Sequence, residues 1–341
     1  MLKNHLRRAL VATMALAFAA GCSGNSTSIT PGQSSLSPST RQVPPGMRLI
    51  PGPVVAGPIL VPLFPRQVNA PHGWPTKKKK KREILFVADA SSGVLMYNPK
   101  TPNGSPTGSI TTGVNAPAGV AVDKKGALYV ANDGGNTVTV YPKGQSSPSM
   151  TISDGIDSPY GIAVDSSGEV FVSNLGNETV VGYKAGATSP FETIQFSTLG
   201  QPVGVGVDGK DNIWVACDSS NSVFEIPAGS STPKNAGLAD LNGPIGIAFG
   251  KGDVTYVSIF SATPSVVEIY AYGTTSPSSS ITSGIEQNGP TLNGFTASGM
   301  FFQSNQAENV VGYKKGQTSP FSTLSGAASP LGIASSPEIK K

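Results

Sequence analysis

The chain has 341 residues, with 41 glycines, 29 prolines, two cysteines and only 13% charged residues. That balance is too rich in turn formers for a helical fold and too poor in cysteine for a disulfide-stapled scaffold. Its net charge of +4 joins two unlike parts, because residues 1–82 hold 12 Lys+Arg and no acid while residues 83–341 hold 12 Lys+Arg against 20 Asp+Glu, a body of −8 that disfavours nucleic acid as a partner.

Residues 1–21 read as an export signal. Lys3, Arg7 and Arg8 form a basic start, and Ala9 to Ala20 form an apolar stretch too short to span a bilayer. Ala19-Ala20-Gly21 then puts small residues directly before Cys22. The segment resembles the lipobox of bacterial lipoproteins, with alanine at 19 where leucine is more usual. The resemblance implies that Cys22 is acylated and that the mature protein is held at a membrane of the bacterial cell envelope. Cys217 is then left without a partner and reads as a small buried hydrophobe.

Residues 22–82 are rich in Ser, Thr, Pro and Gly and show no sustained periodicity, so a flexible tether is expected. The apolar run Val54 to Phe64 is too short and too broken by proline to cross a bilayer. Lys77 to Lys81 and Arg82 end the tether in a basic run, which reads first as a solvated linker and second as a contact to anionic lipid or surface polymer.

From residue 84 onward a unit of about 42 residues recurs. Its first landmark is Pro-x-Gly and an alternating apolar run: PAGVAVD (117–123), PYGIAVD (159–165), PVGVGVD (202–208), PIGIAFG (244–250), LNGFTAS (292–298) and PLGIASS (330–336). The fifth copy alone lacks the proline in this alignment and carries extra residues at 260–264 and 285–292. A second run has an aromatic at one position (Phe86, Tyr129, Phe171, Trp214, Tyr256, Phe302) and a small residue two places on (Ala88, Ala131, Ser173, Ala216, Ser258, Ser304). A third run ends in Tyr97, Tyr141, Tyr183, Ile226, Tyr270 and Tyr313, and a looser fourth run follows Ser-Pro or Thr-Pro.

Four short strands per unit of this length predict an all-β, six-bladed β-propeller over residues 83–341. The chain opens on a second-type strand near Ile84 and finishes on a first-type strand near Leu331. The C-terminal strand is therefore expected to complete the blade that the N-terminal strands begin.

PAGVAVDKKGALYVANDGGNTVTVY and PYGIAVDSSGEVFVSNLGNETVVGY resemble NHL repeats and the wider six-bladed group that includes TolB-like, gluconolactonase-like and virginiamycin B lyase-like propellers. The resemblance implies a fold and leaves function open, since that group contains hydrolases, lyases and pure binding modules. Both histidines, His5 and His72, precede the repeats. The imidazole chemistry of the lyase-like relatives therefore has no position to land on. The gluconolactonase-like pattern implies Ca²⁺ or Mg²⁺ held by axial oxygens, for which Asn115, Asp157 and Asn242 are the candidates, each two residues before a Pro-x-Gly. Asp89, Asn132, Asp133, Asn174, Asp218 and Asn305 follow the second strand, where turn capping is the simpler role.

Asp123, Asp165 and Asp208 recur before tight turns and read as structural. Tyr160, Phe260 and Phe295 place large rings where neighbouring copies vary, and with Asn115, Asp157 and Asn242 they form the expected ligand face. The sequence thus favours an envelope-anchored module that binds a protein, glycan or small ligand, with a metal-dependent lactonase as the alternative.

Overall fold

A computed structural model describes residues 83–336 except 288 and 307, together with the backbone of 47–50 and 59–62. The expected lipid site Cys22, most of the tether and the basic run lie outside the described residues. The chain divides into two units. In the first, β1 (Met47–Ile50) pairs antiparallel with β2 (Ile59–Pro62).

The second unit is a ring of six four-stranded antiparallel blades. It opens with β3 (Leu85–Asp89), β4 (Gly93–Tyr97) and β5 (Gly108–Ile110), which lack an inner strand of their own. Blade 1 follows with β6 (Pro117–Val122), β7 (Leu128–Asn132), β8 (Thr137–Tyr141) and β9 (Met150–Ile152). Blade 2 is β10 (Pro159–Val164), β11 (Val170–Asn174), β12 (Thr179–Tyr183) and β13 (Glu192–Gln195). Blade 3 is β14 (Pro202–Val207), β15 (Ile213–Cys217), β16 (Ser222–Ile226) and β17 (Lys234–Asn235). Blade 4 is β18 (Pro244–Phe249), β19 (Thr255–Ile259), β20 (Val266–Tyr270) and β21 (Ser279–Ile281). Blade 5 is β22 (Pro290–Phe295), β23 (Phe301–Asn305), β24 (Asn309–Tyr313) and β25 (Pro320–Leu324).

The last strand, β26 (Pro330–Ser335), pairs with β3 and completes blade 6. Closure follows the sequence expectation and is reinforced by side chains. Asp89 Oδ2 accepts from the amides of Ala328 and Ser329 at 2.6 and 2.8 Å, and Ser336 Oγ accepts from Ile84 N at 2.9 Å.

Proline suits the first position of each inner strand, because its missing N–H falls beside a register shift in the ladder. The shift places the glycine two residues on against the neighbouring blade. A Cβ on Gly332 would stand 2.6 Å from the Ala118 carbonyl, so backbones meet where blade 6 joins blade 1.

Blade 5 corrects the sequence alignment. Pro290 pairs with Asn305 as Pro117 pairs with Asn132, so this blade keeps its proline and has Leu292 in the glycine column. Its close approach moves two residues along to Gly294, whose Cβ would meet the Ile333 carbonyl at 2.7 Å.

The third-strand tyrosines latch one blade to the loop arriving from the previous one. Tyr141 donates to Thr112 O at 2.7 Å, Tyr183 to Asp154 O at 2.6 Å, Tyr270 to Ala239 O at 2.6 Å and Tyr313 to Ser283 O at 2.7 Å. Tyr97 does the same to Ser325 O at 3.1 Å. Burial pushes all five phenols above their ordinary range. Blade 3 has Ile226 instead, and there Phe196 packs edge-on against Phe224 at 5.9 Å.

Candidate functional site

The register defines two faces. The start of each inner strand lies beside the end of the second strand, as Pro117 beside Asn132. The loops reaching inner strands and those joining second to third strands therefore share one edge, here the upper face. The short turns after the inner strands form the lower face.

At the lower axial opening a cavity of about 240 Å³ is lined by Asp123, Asp165, Asp208 and Asp211. These carboxylates serve the turns. Asp123 Oδ1 accepts from Lys125 N and Ala127 N at 2.9 and 2.8 Å, and Asp165 Oδ1 accepts from Ser167 N and Glu169 N at 2.8 Å each. Asp211 accepts from the amide and hydroxyl of Ser166 on the preceding blade at 2.8 and 2.5 Å. The repeated aspartates are thus structural, as their recurrence in successive blades implies.

Phe295 belongs to this lower end and not to the expected ligand face. With Pro290 as the true start, Phe295 is the last residue of β22, packed 4.9 Å from Tyr256 and 5.2 Å from Phe301. The misplacement follows from the two-residue error in the glycine alignment.

On the upper face, Asn115, Asp157 and Asn242 are turned into the loops of their own blades. Asn115 Nδ2 donates to Gly134 O at 2.9 Å and Asn242 Nδ2 to Ser261 O at 3.0 Å. The Asp157 carboxylate lies over Gly176, within 2.4 Å of where a Cβ would stand there. Among the described residues no three Asp, Glu, Cys or His side chains are placed to hold a metal ion. Asn115 and Asn242 thus commit their amide nitrogens to their own loops, and Asp157 is the one acid among the three candidates.

The upper mouth is instead built from the second position of each inner strand and the first residue after each second strand. Ala118, Tyr160, Val203, Ile245, Thr291 and Leu331 are all buried and plug the axis from six sides. Tyr160 is the one large member. It is 3% exposed, its hydroxyl makes no hydrogen bond among the described residues, and burial followed by the nearby Asp133 carboxylate pushes its phenol well above the ordinary range.

Above this plug the register places Ala90, Asp133, Leu175, Asp218, Phe260 and Gln306 in one column. The amides of Leu175, Phe260 and Gln306 each bond the carbonyl before the local proline, at 2.9, 2.9 and 2.7 Å, which confirms their equivalence. Asp133 and Asp218 lean toward the start of the next inner strand. Asp133 is bonded by Ser158, and Asp218 Oδ1 lies 2.7 Å from where a Cβ on Gly243 would be. Gly243, at φ +70°, leaves that carboxyl its room.

No cation pairs with either carboxyl among the described residues, where the one ion pair joins Lys184 to Glu169 on the outer rim. Desolvation raises the Asp133 carboxyl, opposed by the Ser158 bond and reinforced by Asp157. Desolvation alone takes Asp218, 8% exposed, from 3.8 to about 6. Across the column, Phe260 is 7% exposed and the Gln306 side-chain oxygen is sealed without a partner among the described residues. Gln306 and Leu175 escaped sequence reasoning because their kinship with Asp133 exists only in the strand register.

No family model matches the chain, and no curated protein matches it. Among solved structures it is similar to a protein of unknown function from Bacteroides caccae, at 12% identity and a TM-score of 0.58, over 75% of this chain and 99% of that one. A streptogramin B lyase is similar at 14% identity and a TM-score of 0.53, over 76% and 89% of the two chains. The hydrazine synthase of Kuenenia stuttgartiensis follows at 15% identity and a TM-score of 0.50, over 62% and 66%. At these identities the likeness is one of fold.

Proposed function

We propose that the protein is a binding module whose upper mouth takes a ligand bearing an ammonium or guanidinium group. The observation that carries this reading is Tyr160, a side chain almost wholly buried at the axis whose hydroxyl has no protein partner among the described residues and stays open to the mouth. A hydrogen bond between that hydroxyl and a charged ligand donor contributes about 1.5–3 kcal/mol. Asp133 and Asp218 give the mouth negative charge without a resident cation, and the −8 charge of residues 83–341 adds long-range attraction for a cationic ligand. Phe260 gives the site an apolar wall.

Export and lipid anchoring through Cys22, with residues 22–82 as a tether, complete the proposal and rest on the sequence of residues 1–22. Such an arrangement presents the mouth to a small amine, or to a lysine or arginine of an envelope protein. Residues 83–341 contain no histidine, so imidazole acid–base chemistry has no place at the mouth, and binding is the reading favoured over catalysis.

A thermal melt of the full chain with and without agmatine tests the reading. At 100 times its dissociation constant the ligand adds about 2.7 kcal/mol of stability, a clear rise in melting temperature. No rise with agmatine or with a tetra-arginine peptide removes the proposal.

A further inference from the structure

We propose a second ligand site, for a saccharide ring, in the groove between blades 3 and 4 on the lower, outer side of the propeller. The groove encloses about 300 Å³, at the small end of the range for ligand pockets, and three aromatic side chains, Trp214, Phe249 and Tyr272, are part of its lining. Trp214 and Phe249 form one wall, with ring centroids 5.6 Å apart. The indole is fixed in place, because Trp214 Nε1 donates to Asp208 Oδ2 at 3.1 Å. Asp208 is the turn aspartate that recurs in neighbouring blades, and here it takes on an added task because blade 3 has tryptophan in its aromatic column.

Tyr272 forms the other wall and is 59% exposed, an unusual exposure for so large a ring in this chain. Lys210 steadies it, with its ammonium bonded to the Tyr272 hydroxyl and 4.5 Å from the ring centroid. Between the walls lies Glu225, half-buried, whose carboxylate has no hydrogen bond or ion pair among the described residues. Thr274 and Thr275 add hydroxyls at the rim.

Two pre-positioned aromatic faces with a partnerless carboxylate between them match the two needs of a pyranose. Its C–H face stacks on an aromatic ring, and its hydroxyls donate to the carboxylate. A flat apolar ligand leaves Glu225 desolvated and unbonded, and a phosphate meets three carboxylates, Asp208, Glu225 and Asp253, against the one ammonium of Lys210. The groove is separate from the upper mouth, and neither proposal depends on the other.

Trp214 supplies the readout. The full chain contains two tryptophans, and Trp74 lies far from Trp214 in sequence. Titration with cellobiose, maltose and N,N′-diacetylchitobiose, to about 10 mM each, is expected to change the tryptophan emission with at least one of them. Glu225→Gln and Tyr272→Ala, both near the surface, are each expected to weaken that binding by about tenfold or more. Trp214→Phe is expected to abolish the emission change. Absence of any change with the three disaccharides overturns the proposal. So does a response that persists in Trp214→Phe, or one that Glu225→Gln and Tyr272→Ala leave intact.

Discussion

The backbone carbonyl of Tyr160 lies 2.3 Å from the point where a side chain on Gly119 would begin. One residue thus serves two ends. Its main chain packs blade 2 against blade 1 at the axis, while its ring plugs the upper mouth. The inner strands are too close for even a methyl group at Gly119, so the backbone that carries the Tyr160 ring is held tightly against blade 1.

Gly119→Ala is therefore expected to destabilise the propeller by about 2–4 kcal/mol, since the obstacle is backbone and not a flexible side-chain tip. Chemical denaturation of the two proteins checks this. An equal midpoint shows that the inner strands can separate freely.

The tyrosine latch gives a second expectation. Tyr183→Phe removes the bond to the Asp154 carbonyl at 2.6 Å and leaves that group short of a partner. A loss of about 1–2 kcal/mol follows. Ile226→Tyr is expected to yield no matching gain, because Phe196 already fills the space beside blade 3. Melting temperatures of the two variants decide the point.

Much of this architecture is legible in the sequence. The aromatic, small-residue and tyrosine columns fix the blade count and the offset closure, because each is a contact that every blade must make with its neighbour. The register of blade 5 is not legible. Glycine appears at 294 for the same physical reason as at 119, close backbone approach, but two residues further along the strand. Aligning on the glycine conceals Pro290 and sends Phe295 to the wrong face. Asp133 and Asp218 are visible as residues that follow a strand, but their lack of a cation is a property of three-dimensional neighbours.

Blade 5 also carries a polar cluster where other blades are apolar. Gln303 stands in the column of Val130, Val172, Val215 and Val257, and Asn293 in that of Val120, Ile162 and Val205. Ser258 Oγ donates to Gln303 Oε1 at 2.6 Å and accepts from Asn293 Nδ2 at 2.8 Å, while Asn293 Oδ1 and Ser304 Oγ are buried without partners. Gln303→Val alone is expected to cost about 1–3 kcal/mol, because it leaves the buried Ser258 hydroxyl proton without the acceptor it now has. Ser258→Ala, Asn293→Ile and Gln303→Val together are expected to recover that loss, a non-additivity read from a denaturation series.

Asp218 makes stability depend on pH in the direction opposite to a paired carboxylate. Its folded value of about 6 lies above the ordinary 3.8, so the folded state binds the proton more tightly. Stability from this group is present at pH 4 and falls as pH rises toward 6, by at most about 3 kcal/mol. Asp218→Asn is then expected to stabilise the protein at neutral pH and to leave it nearly unchanged at about pH 4. Equal effects of the substitution at both pH values contradict the desolvated carboxyl.

The most direct test of the binding mouth is calorimetric titration of the full chain with agmatine at about pH 7.5 and about pH 5. Ionised Asp218 is needed for the cation, so affinity is expected to be about tenfold weaker at the lower pH, and Asp218→Asn to flatten that dependence. Tyr160→Phe is expected to weaken binding by about tenfold at the higher pH. Heats that are absent, or that neither pH nor these two substitutions alter, contradict a cation site at the upper mouth.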